Sequence, residues 1–189
     1  MKLKIKKFDY VQSTNDEAIK LIKKNYIKPT LIFANKQTKG KGTRGKKWIS
    51  NKGNIFITIY YEIKSNQIKF EQISILNPHV IKNIIKKYSR FEIKIKWPND
   101  LLIKKKKFCG ILQEIIEHKN KKYLITGIGI NTFIAPKNKS FKSSRLLDSA
   151  KYLFTNSLII KEIKEAYEVF ISDIYKYKFS FLRKKYLKG

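Results

Sequence analysis

Residues 39–47, KGKGTRGKK, put three glycines and five cations into nine positions, between two stretches that read as β-strands. That placement constrains the fold strongly, because the two common glycine-rich phosphate loops need a helix directly after the glycines. Gly40, Gly42 and Gly45 satisfy G-x-G-x-x-G, and only Lys47 spoils G-x-x-x-x-G-K-[ST]. A strand is expected before them, over residues 30–34. The run WISNKG then leads into NIFITIYYEI, residues 54–63, whose β-branched and aromatic residues predict a second strand. No helix N-terminus follows to receive a pyrophosphate, so the dinucleotide and P-loop readings fail on context. A kinase glycine loop does sit between strands, but the chain lacks H-R-D and D-F-G and is too short. What remains is a strand–loop–strand segment that closes over an anionic ligand with backbone N–H groups and cations, or a mobile basic turn.

The rest of the chain fits an α+β architecture, a mixed sheet packed on helices. Residues 3–11 alternate as a strand. Thr14 and Glu17 have capping-box spacing, and Ala18, Ile19 and Ile22 give the following helix an apolar face. Residues 71–88 read as a helix that Pro78 bends or resets. Four strands are expected over 92–97, 101–103, 108–116 and 122–130, with turns at 104–107 and 118–120. Residues 138–144 are polar and loop-like. Ile160, Ile163, Tyr167, Phe170 and Ile174 recur at helical spacing and predict an amphipathic helix over 158–177. The tail FSFLRKKYLKG adds a short last helix.

A length of 189 residues favours one domain over residues 1–189, with a core large enough to be stable. Net charge is +29, from 43 Lys and Arg against 14 Asp and Glu, which by itself admits a polyanionic partner. The cations are nearly all lysines spread along the chain. Arg44, Arg90, Arg145 and Arg183 are too few and scattered for bidentate base reading, so no nucleic acid is expected. Cys109 is alone, which excludes a disulfide framework and a cysteine metal cluster. His79 and His118 match no metal spacing. No apolar run approaches the ~18 residues of a membrane span. The start MKLKIKKFDYV has no signal-peptide core. These features indicate a soluble cytoplasmic protein without a membrane partner.

Five short motifs then occur in order: Ser13-Thr14-Asn15; Gln37-Thr38-x-Gly40-x-Gly42; KWPND at residues 96–100; K-x-x-G-I-L-x-E from Lys107 to Glu114; and G-x-G-I-N from Gly127 to Asn131. Together they resemble the biotin protein ligases over residues 8–131. The related lipoate ligases share the fold but lack KWPND, so biotin is the better match. The resemblance implies a class II synthetase-like catalytic fold. It also implies formation of biotinyl-AMP from biotin and ATP with Mg²⁺, then transfer of biotin to a lysine of a carboxylase carrier domain.

By this resemblance Ser13, Thr14, Asn15, Gln37, Gly40, Lys41 and Gly42 contact biotin. Thr43, Arg44, Lys46, Trp48, Lys96, Asn99, Gly129 and Asn131 contact ATP or the adenylate. Lys107 and Asp100 are catalytic, and Asp100 is the candidate Mg²⁺ ligand. The first step brings a carboxylate against a phosphate, so charge must be neutralised while both are aligned, a task suited to a compact ammonium. Read alone, Lys107 is also the last of four turn lysines, and Asn99-Asp100 is also a turn. Thr14 is expected to cap its helix while Ser13 faces the ligand. Gly127 and Gly129 are expected to let backbone approach the nucleotide, and Trp97 to serve packing.

One departure stands out. The family usually reads G-R-G-R-x-G, whereas this chain has Lys41 and Thr43 at the two arginines. Phosphate contact is then expected from Lys41, Arg44 and Lys46, with looser retention of the intermediate. The first motif begins at Ser13 and the sequence ends at Gly189. That leaves no expected N-terminal helix-turn-helix domain and no C-terminal β-barrel domain. The oligomeric state is expected to be monomer or homodimer.

Overall fold

In a computed structural model, residues 1–64, 68–137 and 142–187 are described. Among them the strands β1 (Lys4–Val11), β2 (Thr30–Gln37), β3 (Ile55–Glu62), β4 (Ile93–Lys96), β5 (Asp100–Ile103), β6 (Lys106–His118) and β7 (Lys121–Ile130) form one sheet. Its order is β1-β2-β3-β7-β6-β5-β4. Only β1 and β2 run parallel; every other pair is antiparallel. The helices are α1 (Thr14–Lys23), α2 (Phe70–Ile85), α3 (Asn156–Lys176) and α4 (Phe179–Leu187).

The two faces of the sheet are covered unequally. Ile57, Ile59, Tyr61, Leu124 and Ile128 join the main core with Ile81 and Ile85 of α2, Ile163 and Phe170 of α3, and Leu182 of α4. Alternate residues point the other way, and there Ile32, Tyr60, Tyr123 and Ile125 make a smaller cluster with Ala18 and Ile22 of α1. The α3 stripe is as the spacing predicts, with Ile163, Tyr167, Phe170 and Ile174 buried and Ile160 half-buried against the core.

Four local expectations change. Ser13, not Thr14, is the N-cap of α1. Its hydroxyl accepts the Asp16 N–H at 3.4 Å, while acidic Asp16 and Glu17 occupy the first turn and Lys20 and Lys23 the last. Helix α2 continues through Pro78 without a break. Proline leaves the Ser74 carbonyl without its helical donor, and Gln113 Nε2 from β6 donates to it at 3.2 Å. The lysine turns are also tighter than expected. Lys104 and Lys105, with φ of 49° and 62°, make the whole β5–β6 turn, and Lys119 and Asn120, at 51° and 58°, make the next. Two positive-φ residues match the right-handed twist of paired strands, so Lys106, Lys107 and His118 stay in the ladder. Of the expected loop 138–144, residues 138–141 lie outside the described ones.

Candidate active site

Glycines on β6 and β7 hollow out the α1 face of the sheet. A Cβ on Gly110 would lie 2.7 Å from the Trp48 indole, on Gly129 2.4 Å from it, and on Gly127 2.2 Å from Asn15 Oδ1. The space over Gly127 and Gly129 therefore admits the protein's own Asn15 and Trp48 side chains, which differs from the expected approach of nucleotide to bare backbone.

Lys107 reaches this floor through an irregularity in β6. Residues three apart on a regular strand point to opposite faces. Leu101 pairs with Cys109 but Leu102 pairs with Lys107, so Phe108 is an extra residue on β6. That bulge restores the face, and Lys107 Nζ lies 3.3 Å from the Cβ position of Gly110. The ammonium pairs with Asp100 at 2.6 Å and sits 5.3 Å above the Trp48 ring. Both members of the pair are about one-fifth exposed. The Lys107 backbone is held on both sides, its N–H donating to Lys142 O and its carbonyl accepting from Ser144 N, each at 2.9 Å. Neighbouring Cys109 is fully buried. Burial pushes its thiol far above the usual range, with the Lys107 charge opposing and Asp100 adding, so it is no nucleophile.

Two cavities meet at Lys107. The inner one is narrow and is lined by Ser13, Thr14, Asn15, Gln37, Lys41, Gly42, Thr43, Asn99 and the glycine floor. The outer cleft, about 620 Å³, is lined by Lys46, Lys47, Lys96, Lys105, Lys107 and Lys142, with Asp100 the one acidic residue among the described lining residues. Gly42, Thr43, Trp48 and Lys107 border both. A small polar hollow joined to a cationic cleft suits a neutral ring with an anionic tail alongside a polyphosphate.

The glycine-rich loop folds over this junction. Trp48 N donates to Gly40 O at 2.8 Å and Gly42 N to Lys46 O at 2.7 Å. Lys41 forms a short ion pair with Asp16. Gly40 borders neither cavity. It is tucked under Trp48 O, where a Cβ would fall at 2.6 Å.

Arg44 is exposed in the left-handed region, φ 55°, and lines neither cavity. Of the three cations expected on phosphate, Lys41 borders the inner cavity and Lys46 the outer. Asn131 also lines neither. It is buried, donating from its backbone to Phe108 O at 2.7 Å and from Nδ2 to Ser144 O at 3.2 Å. It thus braces residues 142–144 against Lys107. Asn99 lines the inner cavity while its Nδ2 donates to Ile111 O at 3.0 Å, fastening the KWPND turn to β6. Trp97 is 76% exposed, so the expected packing role does not hold.

The inner wall is a chain of hydrogen bonds. Gln37 Oε1 accepts from Thr14 N at 2.8 Å and faces Thr14 Oγ1 at 3.0 Å, while Gln37 Nε2 donates to Ser50 Oγ at 3.0 Å. Thr58 Oγ1 lies 2.8 Å from Thr14 Oγ1 and 2.6 Å from Asn15 Oδ1. Asn15 Nδ2 donates to Glu114 at 2.6 Å. Sequence reasoning missed Thr58, Lys105 and Lys142 as site residues. A lone hydroxyl inside the apolar run NIFITIYY was the signal for Thr58; the two lysines had none among so many.

The biotin/lipoate A/B protein ligase family matches residues 8–131. The bifunctional ligase/repressor BirA of Bacillus spizizenii is 35% identical over 125 residues, which are 65% of this chain and 38% of that protein. The biotin–[acetyl-CoA-carboxylase] ligase of Paracoccus denitrificans is 29% identical over 127 residues, 66% of this chain and 52% of that protein. The chain thus spans about two-fifths to half the length of these curated relatives. In fold, it matches the biotin protein ligase from Aquifex aeolicus solved with biotin and ATP, with a TM-score of 0.78 at 22% identity, over 96% of this chain and 76% of that one.

Proposed function

Because the chain belongs to the biotin/lipoate A/B protein ligase family, we propose that it is an ATP-dependent biotin–protein ligase. The observation that carries this reading is the Lys107–Asp100 pair, 2.6 Å apart, where the polar hollow meets the cationic cleft. Biotin occupies the inner cavity, with its ureido ring towards Ser13, Thr14 and Gln37. The triphosphate lies in the outer cleft.

A biotin carboxylate oxygen attacks the α-phosphorus, the bond to the β-phosphate oxygen breaks, and pyrophosphate leaves. Lys107 neutralises the two anions as they approach, and Asp100 holds its ammonium in place. The amine of an acceptor lysine then attacks the acyl carbon of biotinyl-AMP. An amide forms, AMP leaves with the bonding electrons, and the amine proton passes to solvent.

Asp100 would hold Mg²⁺ brought in with ATP, since one carboxylate suffices when phosphates supply most of the oxygens. That ion would neutralise charge on the departing pyrophosphate. No cluster of three or more His, Cys, Asp or Glu among the described residues offers a separate metal cage.

The acceptor is the carrier domain of a biotin-dependent carboxylase, a reading supported by the name of the Paracoccus relative. The enzyme works in the cytoplasm as a monomer or homodimer. No described helix is long and apolar enough to cross a membrane.

The test is pyrophosphate release with ATP, Mg²⁺ and biotin, set beside Lys107→Ala. Biotin-dependent release is expected, falling by about 100-fold or more in the variant, with an unchanged thermal midpoint. Release with lipoate but not biotin would make it a lipoate-type ligase. Release with neither, alongside salt-sensitive binding to DNA or RNA, would overturn the enzymatic reading.

A further inference from the structure

We propose that Asp16 is a positioning residue whose ion pair with Lys41 latches the glycine-rich hairpin over the inner cavity and slows escape of the acyl-adenylate. This rests on the biotin reading above. Asp16 lies outside both cavity linings and acts on the site through Lys41.

Residues 40–48 make a short hairpin bonded to itself. Lys41 bridges Lys47, Gly42 N donates to Lys46 O and Trp48 N to Gly40 O. Its base is fixed, since Thr38 N donates to Val11 O at 2.9 Å and Lys39 N to Gln12 O at 2.8 Å. The hairpin carries Lys41, Arg44, Lys46 and Lys47. Among the described residues, Lys41 is the one of these cations with a carboxylate partner. That partner stands in the first turn of α1, where its N–H donates to Ser13 Oγ at 3.4 Å. Ser13, Thr14 and Asn15, just before it, line the inner cavity, and Lys41 and Gly42 line the same cavity from the hairpin. The pair therefore joins the two walls at the rim.

Charge elsewhere presses the hairpin away. Lys46 and Lys47 share the outer cleft with Lys96, Lys105, Lys107 and Lys142, and like charges repel. A polyphosphate offsets that repulsion while it is bound. Once pyrophosphate leaves, the adenylate keeps a single negative charge. The repulsion returns at the stage when the intermediate has to be kept, and Thr43 has no charge with which to grip it. The Asp16 carboxylate opposes it from the α1 side. A first-turn acid also favours the helix dipole by itself, but that effect does not involve Lys41, which makes the two roles separable.

The experiment compares Asp16→Asn, Lys41→Met and the double variant with the parent. In a filter-retention assay, biotinyl-AMP should escape from Asp16→Asn about two- to fivefold faster, the scale of one partly exposed ion pair. The single-turnover rate of pyrophosphate release should not change. The double variant should be no faster than the faster single variant, because both remove the same pair. In ligand-free protein, an arginine-specific protease should cut after Arg44 faster by a similar factor, since cutting follows the open population, while cutting after Arg183 stays constant. Parent-like escape or additive effects would overturn the proposal. A lower thermal midpoint with escape unchanged would overturn it in favour of the helix dipole. Slower escape from Asp16→Asn would overturn it too, by showing that Asp16 draws Lys41 away from the ligand. If the parent shows no biotin-dependent pyrophosphate release, the functional reading fails first. Cutting after Arg44 then judges the latch by itself, and an unchanged rate overturns it.

Discussion

One face of the sheet is filled throughout, and the other is filled at one end and hollow at the other. Under α2, α3 and α4, large side chains such as Tyr61, Tyr167 and Phe170 are fully buried. Some of the polar groups admitted there close on one another, though the Tyr61 hydroxyl is buried without a hydrogen-bond partner. Tyr167 OH donates to Asn77 Oδ1 at 2.9 Å, Asn77 Nδ2 bonds Gln113, and Gln113 satisfies the carbonyl that Pro78 leaves open. The α1 face has Gly110, Gly127 and Gly129 where the first has Ile111 and Ile128, and its buried Ser13, Thr14 and Asn15 border a cavity. Close packing and directed polarity compete for the same volume. The chain resolves this by giving each one side of a shared sheet, so stability and ligand recognition are separable by mutation.

The sharpest way to break that comparison is a truncation on the filled face. Phe170→Ala should cost about 3–5 kcal/mol of stability, read by denaturant unfolding. Its pyrophosphate release per folded molecule should stay near the parent's, and a selective fall in that rate would show that the faces are coupled. Gly129→Ala does the reverse. Its Cβ meets the Trp48 indole at 2.4 Å, so the indole must shift. The expected cost is about 1–3 kcal/mol of strain, read as a change in Trp48 fluorescence together with lost adenylation. A preserved spectrum and rate would mean that the floor yields freely. Thr43→Arg should have the smallest effect. An arginine bordering both cavities should slow escape of biotinyl-AMP by about tenfold, the scale of a hydrogen bond to a charged group, read in a filter-retention assay without change in the thermal midpoint. Unaltered escape would mean that Lys41 and Lys46 already hold the phosphate.

Much of this was legible beforehand because it depends on local pattern. The period of two in residues 54–63 and the period of 3.6 in α3 depend only on which side of an element is dry. The order of helices and strands followed from them. The family spacing K-x-x-G singled out Lys107, which borders both cavities. Placements differed from expectation where packing or backbone conformation, not motif, decides. Trp97 is apolar and was expected inside, but nothing packs over it. Arg44 sits among loop cations, yet a left-handed backbone carries it outside both cavities. Asn131 belongs to a site motif and serves as a brace, because residues 142–144 need its amide.

By itself the sequence determined the α+β class and the strand–loop–strand setting of the glycines, since these follow from periodicity, and its five motifs carried the resemblance to the ligase family that the family match over residues 8–131 bears out. Only the tertiary structure decided which residues share a cavity. The bulge at Phe108 turns Lys107 to the side of Gly110, the β3–β7 pairing lays Thr58 beside Gly127, and the packing of α1 delivers Asn15 to Glu114, 99 positions away. Such contacts arise from strand register and helix docking, and these minimise energy over the whole chain at once.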